Sequence, residues 1–225
     1  MFHYFMYGLL CTNLFANEKV FEGAKVEKIK KISLESTSGD IKIEKENTPN
    51  KIFVSSDSSK GKDTSCTVEV DEKSSELKIS VKGKKNDCKT DFSLKVPQNV
   101  ELDIKLGAGD ILIDKVGSKI DFKSGAGDVS LTDSQVSEVE GKLGAGDIKI
   151  EYSAEISNLK NKRKIELKLG AGDIKIVAPK DILVKHSGKN GWGNINNELK
   201  DVSNKDNWIE LDSKLGTGDL TIKGK

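Results

Sequence analysis

Arginine, histidine, proline and aromatic residues are scarce in this sequence of 225 residues. Lysine carries the positive charge, because Arg163 is the only arginine among 37 basic residues, and 36 acidic residues balance them. Proteins that bind nucleic acid rely on an excess of basic charge, and they favour the guanidinium fork for contacts with phosphate. Neither feature is present, so we expect no nucleic-acid partner.

Long apolar runs and helical periodicity are also missing. No stretch approaches the roughly 20 apolar residues that a membrane-spanning helix needs, so no transmembrane span is expected. No segment sustains apolar residues at the i, i+3, i+4 spacing of an amphipathic helix. Apolar and polar residues instead alternate, as in Ile148-Lys149-Ile150, which is typical of strands with one buried face.

Catalytic residue types are few. Beyond residue 16 the only histidine is His186, whose alternation with Ile182 and Val184 predicts a position in the core or at its rim. No Gly-x-Ser-x-Gly motif accompanies it, and we expect no enzyme. The alternative is a glycan-active β-helix enzyme, because stacked aspartates would meet the roughly 5–10 Å separation of the paired carboxylates in glycosidases.

Residues 1–16 contain no Asp, Glu, Lys or Arg, and they end in Leu14-Phe15-Ala16. This pattern predicts a signal peptide and export to the periplasm or the cell surface. The segment lacks a basic start, and Leu14 is larger than the residue usual before a cleavage site, so a buried N-terminal strand is the alternative. Cys11 follows Leu10 in a poor lipobox, and a lipid anchor is not favoured.

Cys66 and Cys88 remain once residues 1–16 are removed. An even pair in an exported chain predicts a disulfide, worth roughly 3 kcal/mol in the chain-entropy model. The alternative is two unpaired thiols. With a single histidine left, no metal site is expected.

A four-residue repeat is the most informative feature of the chain. Gly-Ala-Gly-Asp occurs four times, and related sequences occur three times; together they occupy positions 37–40, 107–110, 125–128, 144–147, 170–173, 191–194 and 216–219. Successive copies from 107–110 onward lie about 20 residues apart, the length of one solenoid coil. The sequence therefore predicts an all-β, single-chain β-solenoid similar to a parallel β-helix.

The last residue of each copy is expected to cap a turn by accepting backbone N–H groups of that turn. The small alanine is expected to point into a tight corner. Aspartates stacked about 4.8 Å apart would repel by roughly 0.9 kcal/mol, less than the 1.5–3 kcal/mol of a hydrogen bond to a charged group. The predicted structural turn caps are Asp40, Asp110, Asp128, Asp147, Asp173, Asn194 and Asp219.

Calcium is one candidate cofactor for this repeat. Calcium needs six to eight oxygen ligands, whereas each coil offers one obvious carboxylate. We therefore expect no cofactor, and a calcium-stabilised adhesin stays as an alternative.

Two parts follow the signal peptide. Residues 24–97 are less regular and are expected to form an antiparallel, sandwich-like β cap, and residues 98–223 form the repeat solenoid. Trp192 replaces the alanine of the motif within Gly191-Trp192-Gly193. Its indole either folds over an end of the core or binds a sugar or a partner.

The stretch from Phe92 to Ile104, with Val96-Pro97 inside it and Gly-Ala-Gly-Asp-Ile coils after it, resembles the bacterial "putative adhesin" family of β-strand-repeat proteins. A Val-Pro segment in that family leads into Gly-Asp-Ile or Gly-Asp-Val strands, and Ile176–Asp181 is similar to a second lead-in. The resemblance implies an envelope location, a right-handed β-solenoid-like fold and no catalytic residues. We therefore expect a non-enzymatic exported scaffold or adhesin-like module, whose partner is an unidentified envelope or cell-surface component.

Overall fold

A computed structural model describes residues 17–59, 66–83, 88–159, 161–203 and 206–225. The predicted signal peptide and Cys11 lie outside these ranges. The described chain forms nineteen strands, one α-helix and one 3-10 helix. The strands are β1 Asn17–Glu22, β2 Lys31–Ser38, β3 Ile41–Lys45, β4 Lys51–Ser59, β5 Thr67–Lys73, β6 Glu76–Lys82, β7 Lys89–Val96, β8 Glu101–Ala108, β9 Ile111–Asp114, β10 Lys119–Ala126, β11 Val129–Ser134, β12 Glu138–Ala145, β13 Ile148–Tyr152, β14 Lys162–Ala171, β15 Ile174–Ala178, β16 Leu183–Trp192, β17 Ile195–Asn197, β18 Trp208–Thr217 and β19 Leu220–Gly224. The α-helix α1 is Ala24–Lys28, and the 3-10 helix is Ala154–Asn158.

The strands stack in two parallel ladders, and each layer of the stack contributes one strand to each ladder. The first ladder runs β6–β2–β8–β10–β12–β14–β18–β16. The second ladder runs β7–β3–β9–β11–β13–β15–β19–β17. This arrangement confirms the all-β solenoid that the repeat predicted.

The layers at both ends of the stack are out of chain order. The layer of β2 and β3 lies between β6–β7 and β8–β9, because β2 pairs with both β6 and β8. At the other end, β18 pairs with both β14 and β16, so the last layer of the chain lies inside the layer before it. The outermost layers of the parallel stack are therefore β6–β7 and β16–β17.

Antiparallel pairing is confined to one end of the molecule in the described residues. It joins β1 to β4, β4 to β7 and β5 to β6. The segment 24–97 is thus antiparallel only in part, because β2, β3, β6 and β7 belong to the parallel stack. The disulfide between Cys66 and Cys88, with Cα atoms 5.6 Å apart, joins the residues just before β5 and β7.

One continuous core fills the space between the ladders. Inward side chains of successive layers stand in register, so apolar residues stack into columns and β7 alternates strictly between exposed and buried positions. Burial of these columns supplies the hydrophobic driving force for the fold. One column consists of Leu102, Ile120, Val139, Ile165 and Leu211, each at most 1% exposed.

The β16–β17 layer closes this core with polar residues. His186 is in register with Leu211, in a column that is apolar in the inner layers. Asn190 is in register with Leu215, in a column that also holds Ser124. The carbonyl of Leu199 accepts the backbone N–H of Val184 at 3.1 Å and covers the outer side of β16. An end layer has no further coil to bury its inward face, which explains the change to polar residues.

Candidate functional site

The motif aspartates form a single column along the edge of the stack. Each Oδ1 accepts the backbone N–H of the equivalent residue in the adjacent layer, for example from Asp128 at Asp110 and from Asp147 at Asp128, both at 2.8 Å. The carboxylates therefore connect neighbouring coils. The sequence had predicted that each carboxylate would instead cap the turn to which it belongs. The same bond joins Asp40 to Asp110, Asp147 to Asp173, Asp173 to Asp219 and Asp219 to Asn194.

The two ends of this column explain its composition. At one end, the side chain of Asp91 accepts the backbone N–H of Asp40 at 2.8 Å. Asp91 is not part of the repeat that the sequence shows. The alternating residues Phe92-Ser93-Leu94 after Asp91 indicate a strand, as they do after the motif aspartates. No glycine motif precedes Asp91, however, so the repeat does not identify it. At the other end Asn194 lies in the outermost layer, where the described residues add no further strand beside β17. The side chain of Asn194 therefore has no backbone N–H of a further described layer to accept, and an amide can take the place of the carboxylate.

The glycines of the motif are required by close backbone packing. The second glycine has a positive φ, and a Cβ on Gly146 (φ 126°) would lie 2.1 Å from the carbonyl oxygen of Gly127. The first glycine is equally tight, since a Cβ on Gly144 would lie 2.4 Å from the oxygen of Gly125. The alanine between them is exposed, as at Ala126, so its expected position inside a corner is wrong.

Six lysines occupy one register position on consecutive coils of the first ladder. We call them the lysine column: Lys105, Lys123, Lys142, Lys168, Lys214 and Lys189, in order along the stack. At about 4.8 Å per layer, the column extends for roughly 24 Å. Each lysine stands two residues before the first glycine of its motif, which is the sequence signal that the repeat analysis did not use.

A column of carboxylates lies two residues before the lysine column, on the same outward face. We call it the acidic column: Asp103, Asp121, Glu140, Glu166 and Asp212. Three of its five members contact lysines of a third column, since Lys31 Nζ lies 2.9 Å from Asp103, Lys119 lies 3.9 Å from Asp121, and Lys164 contacts Glu166.

These contacts leave most of the lysine column without ion pairs. Lys142 lies 3.9 Å from Glu140, and the other five members make no salt bridge within the described part of the chain. The hydrogen bond from Lys164 is the largest cause that lowers the pKa of Glu166, and the charge of Lys168 adds to the lowering. The lysine column is thus a row of like charges in which only Lys142 makes a salt bridge within the described residues.

An open groove of about 610 Å³ runs beside the lysine column, along the first glycines of the motifs. The groove forms because the first glycine of each motif has no side chain. The surface between the lysine and the motif alanine of each coil is therefore left open. Four lysines of the column line it, and the leucines in its lining point into the core and are each only 3% exposed. The lining includes Gly125, Gly144, Gly170, Leu106, Leu143 and Leu169.

Trp192 lies one layer beyond the residues that line this groove. It takes the alanine position in β16, in register with Thr217, and it follows Lys189 and Gly191 of the same strand. Trp192 is 80% exposed, and Ile195, three residues later, is 47% exposed. The indole does not fold over the core and is available to a ligand.

His186 belongs to the rim of the core. Its Nε2 lies 2.9 Å from Oγ of Ser213, and burial lowers the pKa of the imidazole. Ser213 is only 2% exposed, so this pair offers no accessible nucleophile. Within the described ranges no group of three or more His, Cys, Asp or Glu side chains is placed to hold a metal ion. No helix there is long and apolar enough to cross a membrane.

Several solved structures are similar to this chain. A "putative cell adhesion protein" from Clostridium sporogenes ATCC 15579 is 21% identical, with a TM-score of 0.56 and coverage of 93% of this chain and 100% of its own. A "putative adhesin" from Bacteroides fragilis NCTC 9343 is 15% identical, with a TM-score of 0.44 and coverage of 92% and 97%. At these identities the likeness concerns the fold alone.

No curated protein matches the chain. The profile of one family, described as Toastrack DUF4097, matches residues 29–178, which begin just after α1 and include the strands from β2 to β15. That range holds four of the six members of the lysine column. The chain therefore belongs to the Toastrack DUF4097 family.

Proposed function

We propose that this protein is an exported, non-enzymatic binding scaffold of the cell envelope, similar in role to an adhesin. One observation carries the proposal: the same surface residue recurs at the same register position on six consecutive coils. A surface that repeats in this way matches a partner that also repeats, such as an envelope polymer or an ordered cell surface.

Rigidity supports this role. Backbones in neighbouring layers pack within contact distance at the glycines, and the aspartate column ties each layer to the next. Charged groups on such a frame keep their spacing without losing much conformational freedom on binding, which favours affinity. The disulfide between Cys66 and Cys88 fits an oxidising compartment outside the cytosol.

The alternative of a glycan-active enzyme would use two of the stacked aspartates as acid and base. The motif aspartates all make the same bond to the next layer, for example Asp128 to Asp147 and Asp147 to Asp173. No pair among them differs in environment, whereas an acid and a base need environments that separate their pKa values. The geometry supports a structural role for the column and gives no reason to assign catalysis to one pair.

Co-sedimentation with cell envelopes from the source organism tests the proposal. The chain should pellet with intact envelopes in low salt and be released as ionic strength rises, because exposed charges are screened by salt. A panel of polysaccharides should show no loss of polymer length after prolonged incubation. Absence of envelope binding, or turnover that Asp147→Asn abolishes in a folded protein, would contradict it. Mass measurement of the N-terminus after expression tests removal of residues 1–16.

A further inference from the structure

We infer that the groove beside the lysine column binds a linear acidic glycan, whose chain runs along the stack and whose terminal sugars stack on Trp192. The inference rests on the proposed function and names the class of envelope component that the scaffold recognises. It combines three independent features of one surface: unpaired positive charge, a groove without side chains, and an exposed indole.

Charge defines the ligand as an anion with a regular repeat. Five lysines of the column lack salt bridges in the described residues, while their acidic neighbours Asp103, Asp121 and Glu166 contact other lysines. The lysines recur about every 4.8 Å along the stack, so the ligand needs anionic groups at a similar interval along an extended chain. A glycan with one carboxylate on each sugar could therefore place a charge near each lysine.

The shape of the surface favours a linear chain over a compact ligand. The groove is open and about 610 Å³ in volume, and its lining extends from Leu106 in β8 to Lys214 in β18. Backbone at Gly125, Gly144 and Gly170 forms part of the lining, so a polymer can approach the main chain closely. The aliphatic stems of the lysines that line the groove, such as Lys142 and Lys168, can contact the apolar faces of sugar rings.

Trp192 favours a sugar polymer over a bare polyanion. The flat apolar face of an indole packs against the C–H face of a pyranose ring, whereas a simple phosphate chain offers no such face. Trp192 is 80% exposed and replaces the alanine of the inner coils only at the end of the column. An aromatic residue at that point can hold the end of a glycan that follows the groove.

Nucleic acid fits this surface less well. The acidic column on one side of the lysines and the aspartate column on the other would repel a polymer with dense, unshielded phosphates. Arginine, which favours bidentate phosphate contacts, is absent from the groove lining. The narrow row of lysines between two acidic rows suits a chain that carries its charge on one edge.

Binding of polygalacturonate oligomers, measured by isothermal titration calorimetry, tests the inference. The probe carries one carboxylate per sugar, and its fully methyl-esterified form is the neutral control. Affinity should rise from the trimer to the hexamer as more lysines are engaged, and the ester should bind weakly. The triple variant Lys123→Gln, Lys168→Gln, Lys214→Gln should lose affinity by roughly tenfold or more. Trp192→Ala, which restores the alanine of the motif, should lose roughly threefold to tenfold.

Matched controls separate the groove from general charge. The triple variant Lys95→Gln, Lys175→Gln, Lys223→Gln makes the same change of charge on the second ladder and should alter affinity by less than about twofold. Equal losses in both triple variants would overturn the groove as the site. Polyphosphate binding that matches polygalacturonate, unaffected by Trp192→Ala, would overturn the glycan.

Envelope sedimentation distinguishes this inference from the proposed function. If the groove triple variant binds envelopes as well as the parent protein, the scaffold function holds and the assignment of its ligand to the groove fails. If the parent protein binds polygalacturonate but no envelope, the groove chemistry holds and the envelope function fails. If the groove triple variant loses envelope binding while the parent protein and the control triple variant keep it, the result supports both the scaffold function and the groove as its binding site.

Discussion

The ring of Phe122 occupies the space in front of Gly141 in the adjacent coil. A Cβ on Gly141 would lie 2.2 Å from Cζ of Phe122 and 2.8 Å from Cδ2 of Leu167. The two residues are directly paired in register between β10 and β12, and both are buried. A large side chain in one layer is thus accommodated by the smallest residue in the next, and the core keeps its packing density.

Gly141→Ala tests this relationship. The added methyl group overpacks the core, so we expect a loss of about 1–3 kcal/mol in unfolding free energy, measured by urea denaturation. Combination with Phe122→Leu, which frees the space, should recover part of the loss, with a coupling energy of about 0.5–3 kcal/mol. Strict additivity of the two changes would show that the residues do not share this space.

Asp128 tests the bridging role of the aspartate column. Asp128→Ala removes the acceptor for the N–H of Asp147, and we expect the unfolding free energy to fall by about 0.5–1.5 kcal/mol. Asp128→Asn keeps a side-chain oxygen that can accept this N–H, and should retain most of the stability. Equal losses in the two variants would contradict the bridge, because only the alanine lacks an acceptor.

The repeat motif predicted the fold because its glycines and aspartates follow directly from packing between coils. Gly146 and Asp147 can be recognised in one coil alone, since each meets the same requirement in every inner layer. The order of the end layers could not be predicted in this way. Whether β18 lies inside or outside β16 depends on which of the two inward faces is more polar, and that requires a comparison of whole strands.

The lysine column shows a different limit of sequence reasoning. Lys142 and Lys168 are 26 positions apart in the chain and adjacent in space only because loops of unequal length absorb the difference between coils. The sequence shows that each lysine precedes the first glycine of its motif by two residues. Only the register between strands shows that these lysines form one column. Trp192 was identified from its place in the motif, while its exposure depended on the position of β16 at the end of the stack.

Calcium should leave the thermal stability unchanged. The Oδ1 atoms of Asp110 and Asp128 already accept N–H groups, so each carboxylate has one oxygen to offer, and calcium needs six to eight ligands. Melting temperatures in millimolar calcium and in excess chelator should agree within error. A rise of several degrees on adding calcium would instead support a calcium-stabilised adhesin.

Asp121 should destabilise the protein at neutral pH. Burial raises the pKa of its carboxyl, with the nearby Glu140 and Asp103 adding to the rise, and its buried Oδ1 has no hydrogen-bond partner in the described chain. A raised pKa means that the folded state binds the proton more tightly than the unfolded state. Ionisation above the ordinary value of 3.8 therefore lowers stability as pH rises. Asp121→Asn should raise the melting temperature at pH 7, and the gain should vanish below pH 3.8.

Asp103→Asn is the matched control for that experiment. Asp103 is in register with Asp121 but accepts a hydrogen bond from Lys31 at 2.9 Å, which raises the pKa of that lysine. Its neutralisation should lower stability slightly, by about 0.2–1 kcal/mol, because the ion pair is partly exposed. Changes of the same sign in the two variants would show that net charge, and not the burial of Asp121, controls the effect.

Arg163 and Asn207 form a polar clasp beneath the 3-10 helix. The guanidinium of Arg163, only 2% exposed, donates to Oδ1 of Asn207 at 2.6 Å, and burial lowers its pKa. Nδ2 of Asn207 donates to the carbonyl of Ile156 at 2.7 Å, so the clasp holds the 3-10 segment against β14. Asn207→Ala leaves the buried cation with one acceptor, the carbonyl of Asn161, and we expect a loss of about 1.5–3 kcal/mol.

Replacement of both members of the clasp separates the buried charge from the packing. In Arg163→Met with Asn207→Ala the uncompensated cation is gone, so the double variant should be more stable than Asn207→Ala alone, because removal of one partner of a buried polar pair costs more than removal of both. Urea denaturation measures the difference, and hydrogen exchange at Ile156 reports whether the 3-10 segment is released. A double variant less stable than both single variants would show that Arg163 stabilises the core through its aliphatic stem.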